Sequence, residues 1–114
     1  MDGGTVVVVE DRLVSNLVRA VLRKHGYDVV LAEAAEALAM IRAPESGVDI
    51  LITNSPEEFL EFGDRIPLLY LTSMPDPALQ AAFLDCRVVL KPFLPGDLTA
   101  AVGALISGQH PISE

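Results

Sequence analysis

The feature that most constrains the fold is the β-branched run Thr5–Val9, which ends abruptly in two carboxylates, Glu10 and Asp11. Branching at Cβ leaves few side-chain rotamers in a helix, so this run disfavours one. A strand with one exposed face would alternate apolar and polar residues, whereas an unbroken run predicts a strand buried on both faces, as in parallel sheets covered by helices. Ligands bind beyond the carboxyl ends of such strands, so we expect Glu10 and Asp11 at the functional edge.

Length and composition predict one small domain without a membrane span. The 114 residues suffice for a single core, with the domain over residues 1–108 and residues 109–114 as a flexible tail or linker start. No apolar run approaches the roughly 18 residues that a membrane helix requires, and the first residues lack a secretory pattern. We therefore expect a cytoplasmic protein.

Charge and cysteine content exclude several kinds of site. A net charge of −8 opposes nucleic-acid binding through phosphate contacts. The single cysteine, Cys86, excludes an intramolecular disulfide and a cysteine-cluster metal site, and is interpreted as a small core or helix-end residue. His25, with Gly26 behind it, is interpreted as part of a helix end rather than as a metal ligand.

Strand and helix patterns alternate along the rest of the chain, which predicts a parallel sheet with five strands and five helices. In the first helix the apolar spacing predicts that Leu13, Leu17 and Leu22 face inward with Val18 and Val21. The fourth helix is expected to begin at Asp76-Pro77. The predicted strands after the first are Tyr27–Leu31, Val48–Asn54, Pro67–Thr72 and Arg87–Leu90, and the other helices cover Ala34 to Ile41, a short stretch up to Gly63, and Pro95 to Gly108.

The third crossover is unusually short. Only Ser55 to Ile66 separate two predicted strands, close to the lower limit of about 10–12 residues for a whole crossover. Ser55-Pro56-Glu57-Glu58 has the pattern of a capping box, which predicts a short helix starting directly after the strand. Ser55 is thus expected to cap this helix, with its side chain and that of Thr53 directed away from Asn54.

Polar landmarks at the strand ends now form a recognisable series: Glu10-Asp11, Asn54, Thr72-Ser73 and Lys91-Pro92-Phe93. In this order the chain resembles the receiver domain of two-component response regulators, from Thr5 to about Ile106. The resemblance implies a flavodoxin-like, doubly wound five-stranded sheet of order 2-1-3-4-5 with helices on both faces, here with a shortened third helix. It also implies that Glu10 and Asp11 match the Mg²⁺ ligands, Thr72 the phosphate-sensing hydroxyl and Lys91 the neutralising lysine, followed by Pro92.

The position of the phosphoacceptor aspartate falls on Asn54. An amide oxygen is a poor nucleophile because its electron density is delocalised, so we expect no phosphoryl transfer to Asn54. With one carboxylate fewer, Mg²⁺ affinity should fall, leaving a weak or vestigial metal site at Glu10 and Asp11. Lys91 is expected to pair with one of these acids, and Asn54 to hydrogen-bond Lys91 or Thr72.

Two further departures concern the switch. The aromatic residue that commonly stands three positions before the family's lysine is replaced by Val88, which has no comparable rotamer change. The loop after the acceptor position is also truncated. The resemblance therefore favours a degenerate receiver that is not an enzyme and acts by protein contact.

The implied partner is a sensor kinase, an effector domain or a second copy of the chain. The expected surface is the fourth helix, fifth strand and fifth helix, around Ala78, Ala81, Ala82, Leu98 and Ala101. Two alternatives stay open: a receiver that is phosphorylated at another residue, and a flavodoxin-like protein that binds a nucleotide or flavin. No Gly-rich phosphate loop follows the first strand, which counts against the second.

Overall fold

A computed structural model describes residues 4–43, 45 and 47–108. The predicted tail 109–114 lies outside the described residues. The strands are β1 (Thr5–Val9), β2 (Asp28–Leu31), β3 (Val48–Thr53), β4 (Leu68–Thr72) and β5 (Cys86–Leu90); the helices are α1 (Arg12–Arg23), α2 (Ala34–Arg42), α3 (Pro77–Ala81) and α4 (Pro95–Gly108), with a 3-10 helix at Pro56–Phe62.

All five strands are parallel and form one sheet of order β2-β1-β3-β4-β5, which confirms the predicted topology. The valine run is central because side chains alternate across a strand. Val6 and Val8 pack in the core that lies under α1 and α4, whereas Val7 packs in the opposite core with residues of α2 and the 3-10 helix. Both faces of β1 are therefore buried, as the run predicts.

The inward face of α1 differs from the prediction. Leu13 is 81% exposed and Leu17 is 47% exposed, while Ser15 is buried beside Val18 and Leu22. A helix turns about 100° per residue, so Leu13 and Leu17 each lie about 200° around the axis from Ser15. The apolar pattern was compatible with two overlapping faces, and the packed face has Val18 near its centre and the serine at one edge.

The third crossover is short, as predicted, but it is a 3-10 helix rather than an α-helix. Its backbone departs from helical geometry at Phe59, which is buried together with Phe62. The capping box is absent, since the Ser55 side chain makes no cap hydrogen bond to this helix. Among the described residues there are thus four α-helices, one fewer than expected.

The predicted fourth helix, α3, is only five residues long and buries none of its side chains. Phe83 packs in the core, but it follows the helix, and Ala82 is exposed. In α4, by contrast, Leu98, Val102 and Leu105 are fully buried. Leu98 therefore cannot contribute to a contact surface as predicted, because its side chain is in the core.

The third crossover contacts its neighbours through an exposed ion pair and a close backbone approach. Arg42, which ends α2, donates two hydrogen bonds to the carboxylate of Glu61 at 2.6 and 2.9 Å. These bonds lower the pKa of Glu61 below its usual range. Gly63 lies so close to the carbonyl oxygen of Ala82 that a Cβ atom at Gly63 would overlap it.

Candidate functional site

The predicted site residues lie at the carboxyl edge of the sheet. Glu10 directly follows β1, Asn54 follows β3, Thr72 ends β4 and Lys91 follows β5. The strand register brings these ends level, since Val9 pairs with Thr53 and Thr72 pairs with Leu90. The order β1-β3-β4-β5 places the polar ends side by side in space, although the chain visits them far apart.

Glu10 and Lys91 form a buried ion pair across this edge. Lys91 Nζ lies 2.9 Å from Glu10 Oε2, with the Glu10 side chain fully buried and the Lys91 side chain 26% exposed. Glu10 Oε1 accepts a hydrogen bond from the Asp11 backbone N–H at 3.2 Å. The expectation that Lys91 pairs with one of the two acids is confirmed, and its partner is Glu10.

Asp11 is the N-cap of α1. Its backbone is extended, and its Oδ1 accepts a hydrogen bond from the Val14 N–H at 3.0 Å. Such a cap satisfies one of the free donors at a helix start and typically contributes about 1 kcal/mol. One oxygen of this carboxylate therefore serves the helix end.

Asn54 contacts its neighbour in sequence rather than the predicted partners. Its Oδ1 accepts a hydrogen bond from the Ser55 hydroxyl at 3.1 Å, and the Asn54 side chain is exposed. The prediction that Ser55 faces away from Asn54 is therefore wrong. Thr53 is fully buried, and its Oγ1 accepts a bond from the Ser55 N–H at 3.1 Å.

The remaining predicted residues lie along β4 and β5. Thr72 Oγ1 accepts a hydrogen bond from the Met74 N–H at 3.0 Å, which holds the loop after β4. Val88 pairs with Tyr70 of β4, whose ring is buried in the core. The Lys91-Pro92 peptide bond is cis.

The side-chain oxygens of Glu10, Asp11 and Asn54 are not arranged as a set of Mg²⁺ ligands. One oxygen of Glu10 faces the Lys91 ammonium, Asp11 caps α1, and the Asn54 oxygen accepts from Ser55. Among the described residues no group of three or more His, Cys, Asp and Glu side chains could hold a metal ion. Mg²⁺ is usually bound in octahedral geometry by one or two carboxylates together with waters, and of the two predicted ligands Glu10 already has a cation at 2.9 Å.

A cleft of about 630 Å³ opens beside these residues, between the starts of α1 and α2. Its charged lining residues are mostly acidic: Glu33 and Glu36 line it together with Glu10 and Asp11, and Arg12 is the basic residue. Ser15 of α1, which was not among the predicted site residues, also lines the cleft and donates from Oγ to the Glu10 carbonyl at 3.1 Å. The signal for Ser15 was its spacing of three and seven residues from Val18 and Leu22.

Cys86 lies at the start of the edge strand β5, half-buried, rather than in the deep core or at a helix end. Burial, and secondarily the charge of Asp85, raise the pKa of the thiol to about 11. The neutral thiol is a weak nucleophile, so Cys86 does not provide a reactive centre at neutral pH.

The comparisons with known proteins identify the fold. The chemotaxis response regulator CheY4 of Vibrio cholerae matches with a TM-score of 0.75 and 23% identity, over 90% of this chain and 98% of that one. A response regulator from Thermotoga maritima gives 0.72 and 23%, over 91% and 98%, and a two-component response regulator from Clostridium difficile gives 0.74 and 16%, over 93% and 98%. The fold is therefore the flavodoxin-like fold of response regulator receiver domains.

No protein-family model and no curated protein matches this chain. In the part of the chain that the structure describes, no helix is long and apolar enough to cross a membrane.

Proposed function

We propose that this chain is a receiver-like module of a two-component signalling system that acts by protein contact and not by phosphoryl transfer at residue 54. The observation that carries the proposal is the asparagine at the carboxyl end of β3, inside a fold shared with response regulators. An amide at this position gives the fold no acceptor carboxylate where the family's chemistry takes place.

Two contacts support the same conclusion. The Lys91–Glu10 ion pair compensates the buried Glu10 carboxylate, and the Asn54–Ser55 bond engages the amide oxygen that replaces the acceptor. Neither contact needs a phosphoryl group or a metal ion. We therefore propose that Glu10, Asp11, Thr72, Lys91 and Pro92 keep the pocket folded instead of switching it.

The proposed partner is a sensor kinase, an effector domain or a second copy of the chain. The surface formed by α3, β5 and α4 supports this choice, because α3 buries no side chain and Leu90 and Leu94 are 55% and 70% exposed. Ala78, Ala81, Ala82 and Ala101 of the predicted surface are exposed or partly exposed, whereas Leu98 is not part of it. We place this module, residues 1–108, in the cytoplasm and assign it no enzymatic activity.

The test is intact-mass measurement after incubation with Mg²⁺ and a small-molecule phosphodonor. We expect an unchanged mass for the wild type and a hydroxylamine-labile phosphoryl adduct for Asn54→Asp. Asn16→Asp is the matched control, because Asn16 lines the same cleft but lies on α1. A labile adduct on the wild type would overturn the proposal in favour of a receiver with another acceptor, and a bound nucleotide or flavin would favour the flavodoxin-like binding protein.

The switch is tested separately with the same variant. Val88 offers no aromatic rotamer change, and the short third crossover is held by buried Phe59 and Phe62. Phosphorylated Asn54→Asp is therefore expected to sediment like the unmodified variant. A change of oligomeric state on phosphorylation would contradict this.

A further inference from the structure

The outer edge of β5 carries backbone groups that no strand of the sheet pairs. The Lys91 N–H donates to the Thr72 carbonyl, and the Asp85 carbonyl accepts from the Leu68 N–H. A strand directs the N–H and C=O groups of successive residues alternately to its two sides. The backbone groups of Arg87 and Val89 therefore also point toward β4. Cys86, Val88 and Leu90 therefore direct their N–H and C=O groups away from the sheet, and β5 is the last strand in the order.

The groove along this edge has room for another strand. Its volume is about 530 Å³, and its α4 side is lined by Ala100, Ala101 and Ala104. On the opposite face of the sheet α3 ends at Ala81, and Leu90 is 55% exposed. Small side chains and a short helix thus leave the edge uncovered by the described residues. An exposed apolar edge is a template for strand pairing.

The charges at the two ends of the groove have opposite sign. Arg87 lies near the amino end of β5, and Asp97 lies in the first turn of α4, just beyond the carboxyl end of β5. In an antiparallel pairing of β5 with a copy of itself, each Arg87 would approach the Asp97 of the other copy. A two-fold axis forms this contact twice, so the surface is complementary to itself.

The other edge of the sheet lacks this property. Asp28 begins β2, and Glu33 follows its end closely, both exposed. Antiparallel pairing of β2 with its copy would bring these acids together, and like charges across strands are destabilising. Charge therefore selects β5 over β2 for self-association.

We propose that the chain forms a two-fold dimer in which β5 pairs antiparallel with β5 of a second copy, centred on Val88. This register gives every outward-facing residue of β5 a partner, with Cys86 opposite Leu90 and Val88 opposite itself. The two sheets become one continuous sheet, and an Arg87–Asp97 contact forms at each end of the β5–β5 pairing. The inference rests on the proposed contact function, for which it names a second copy as the partner.

Sedimentation velocity of the wild type across a concentration series is the first test. The interface is small, so we expect a dimer at about 100 µM that dissociates on dilution. Val88→Pro should raise the dissociation constant at least about tenfold, because it removes an outward N–H and places a ring on the edge. It costs no bond to β4, and circular dichroism checks that the monomer stays folded.

Charge exchange provides a test that folding defects cannot imitate. Arg87→Glu alone and Asp97→Lys alone should each weaken the dimer about tenfold, since each makes both contacts repulsive. Mixing the two variants should restore a dimer, because the mixed pair has only attractive contacts. Lys24→Glu changes the net charge as Arg87→Glu does, but on the α1 side, and should leave the dimer intact.

Three outcomes overturn the inference. A wild type that is monomeric up to about 500 µM has no such dimer. A dimer that is indifferent to Val88→Pro uses another face. Failure of the mixed variants to associate contradicts the register. None of these outcomes bears on phosphorylation, so the mass measurement on the wild type decides the proposed function independently.

Discussion

At the scale of single residues, the buried contact between Glu10 and Lys91 dominates the candidate site. The Glu10 carboxylate is removed from water, and the ammonium of Lys91 is the cation that compensates it at 2.9 Å. A buried charge is tolerated when it is paired and is costly when its partner is lost. The same lysine that the family resemblance assigns to phosphate therefore has a structural task in this chain.

Lys91→Met is expected to lower the free energy of unfolding by about 2–3 kcal/mol, because Glu10 then stays buried without a cation. Adding Glu10→Gln should recover about 1 kcal/mol or more, since the uncompensated charge is gone. Urea unfolding measures both. Lys24→Met, at an exposed lysine, should change stability by less than about 0.5 kcal/mol. Equal losses with and without Glu10→Gln would mean that the ion pair is not the cause.

Cys86 provides a prediction about pH. Its pKa rises from 9.0 to about 11, so folding favours the neutral thiol. This contribution to stability is complete below about pH 9 and is lost as the pH rises from about 9 to 11. Iodoacetamide should therefore modify the native chain slowly at pH 8 and much faster in urea, as intact mass will show. Equal rates in the two states would contradict the burial of this thiol.

At the scale of elements, the third crossover departs most from regular structure. A 3-10 helix, anchored by Phe59 and Phe62, takes the place of a full α-helix, and Arg42 pairs with Glu61 to fasten it to α2. The backbone at Gly63 then passes directly against the end of α3. The short third crossover therefore requires a residue without a side chain at Gly63, where its backbone contacts the end of α3.

Gly63→Ala should lower the free energy of unfolding by about 2 kcal/mol, because the new Cβ overlaps the Ala82 carbonyl. Gly103→Ala is the matched control, since it lies inside α4 with nothing within 4 Å of its Cβ position. There alanine should stabilise the helix by about 0.5–1 kcal/mol. Thermal and urea unfolding compare the two. A neutral Gly63→Ala would show that the crossover yields without cost.

The elements also show what the sequence could predict. The valine run and the strand–helix alternation were sufficient for the parallel sheet, and the polar residues at strand ends indicated which side chains would share its carboxyl edge. Leu13 was misplaced because two apolar stripes overlap on α1, and burial of Ser15 decides between them. The capping box is not formed, because the Ser55 side chain makes no bond to the 3-10 helix and its hydroxyl is directed to Asn54 Oδ1. Which face of a helix packs, and where a hydroxyl is directed, depend on three-dimensional contacts that spacing alone does not contain.

At the scale of the whole molecule, charge is unevenly balanced. Acidic residues outnumber basic ones 16 to 8, and several of the acidic side chains line the cleft beside β1. Two ion pairs join described residues, Arg42–Glu61 and Lys91–Glu10. The net charge of −8 nevertheless makes the overall interaction between charges repulsive.

Raising NaCl from about 20 to 300 mM should stabilise the fold by about 1 kcal/mol, because salt screens exposed charges. Glu57→Lys removes two units of negative charge at an exposed position and should reduce this salt effect. Urea midpoints at the two ionic strengths provide the measurement. A midpoint that falls with salt would mean that attractive surface pairs outweigh the net repulsion.

The short third crossover also has a consequence for how the chain folds. Few residues separate β3 from β4, so their pairing closes a small loop. Pairing of β1 with β3 closes a much longer loop, which contains α1, β2 and α2. Low sequence separation favours early contact formation. We therefore expect the folding nucleus to lie in the β3–β4–β5 half of the sheet, with the valine strand and its acidic end docking afterwards onto a surface that is already formed.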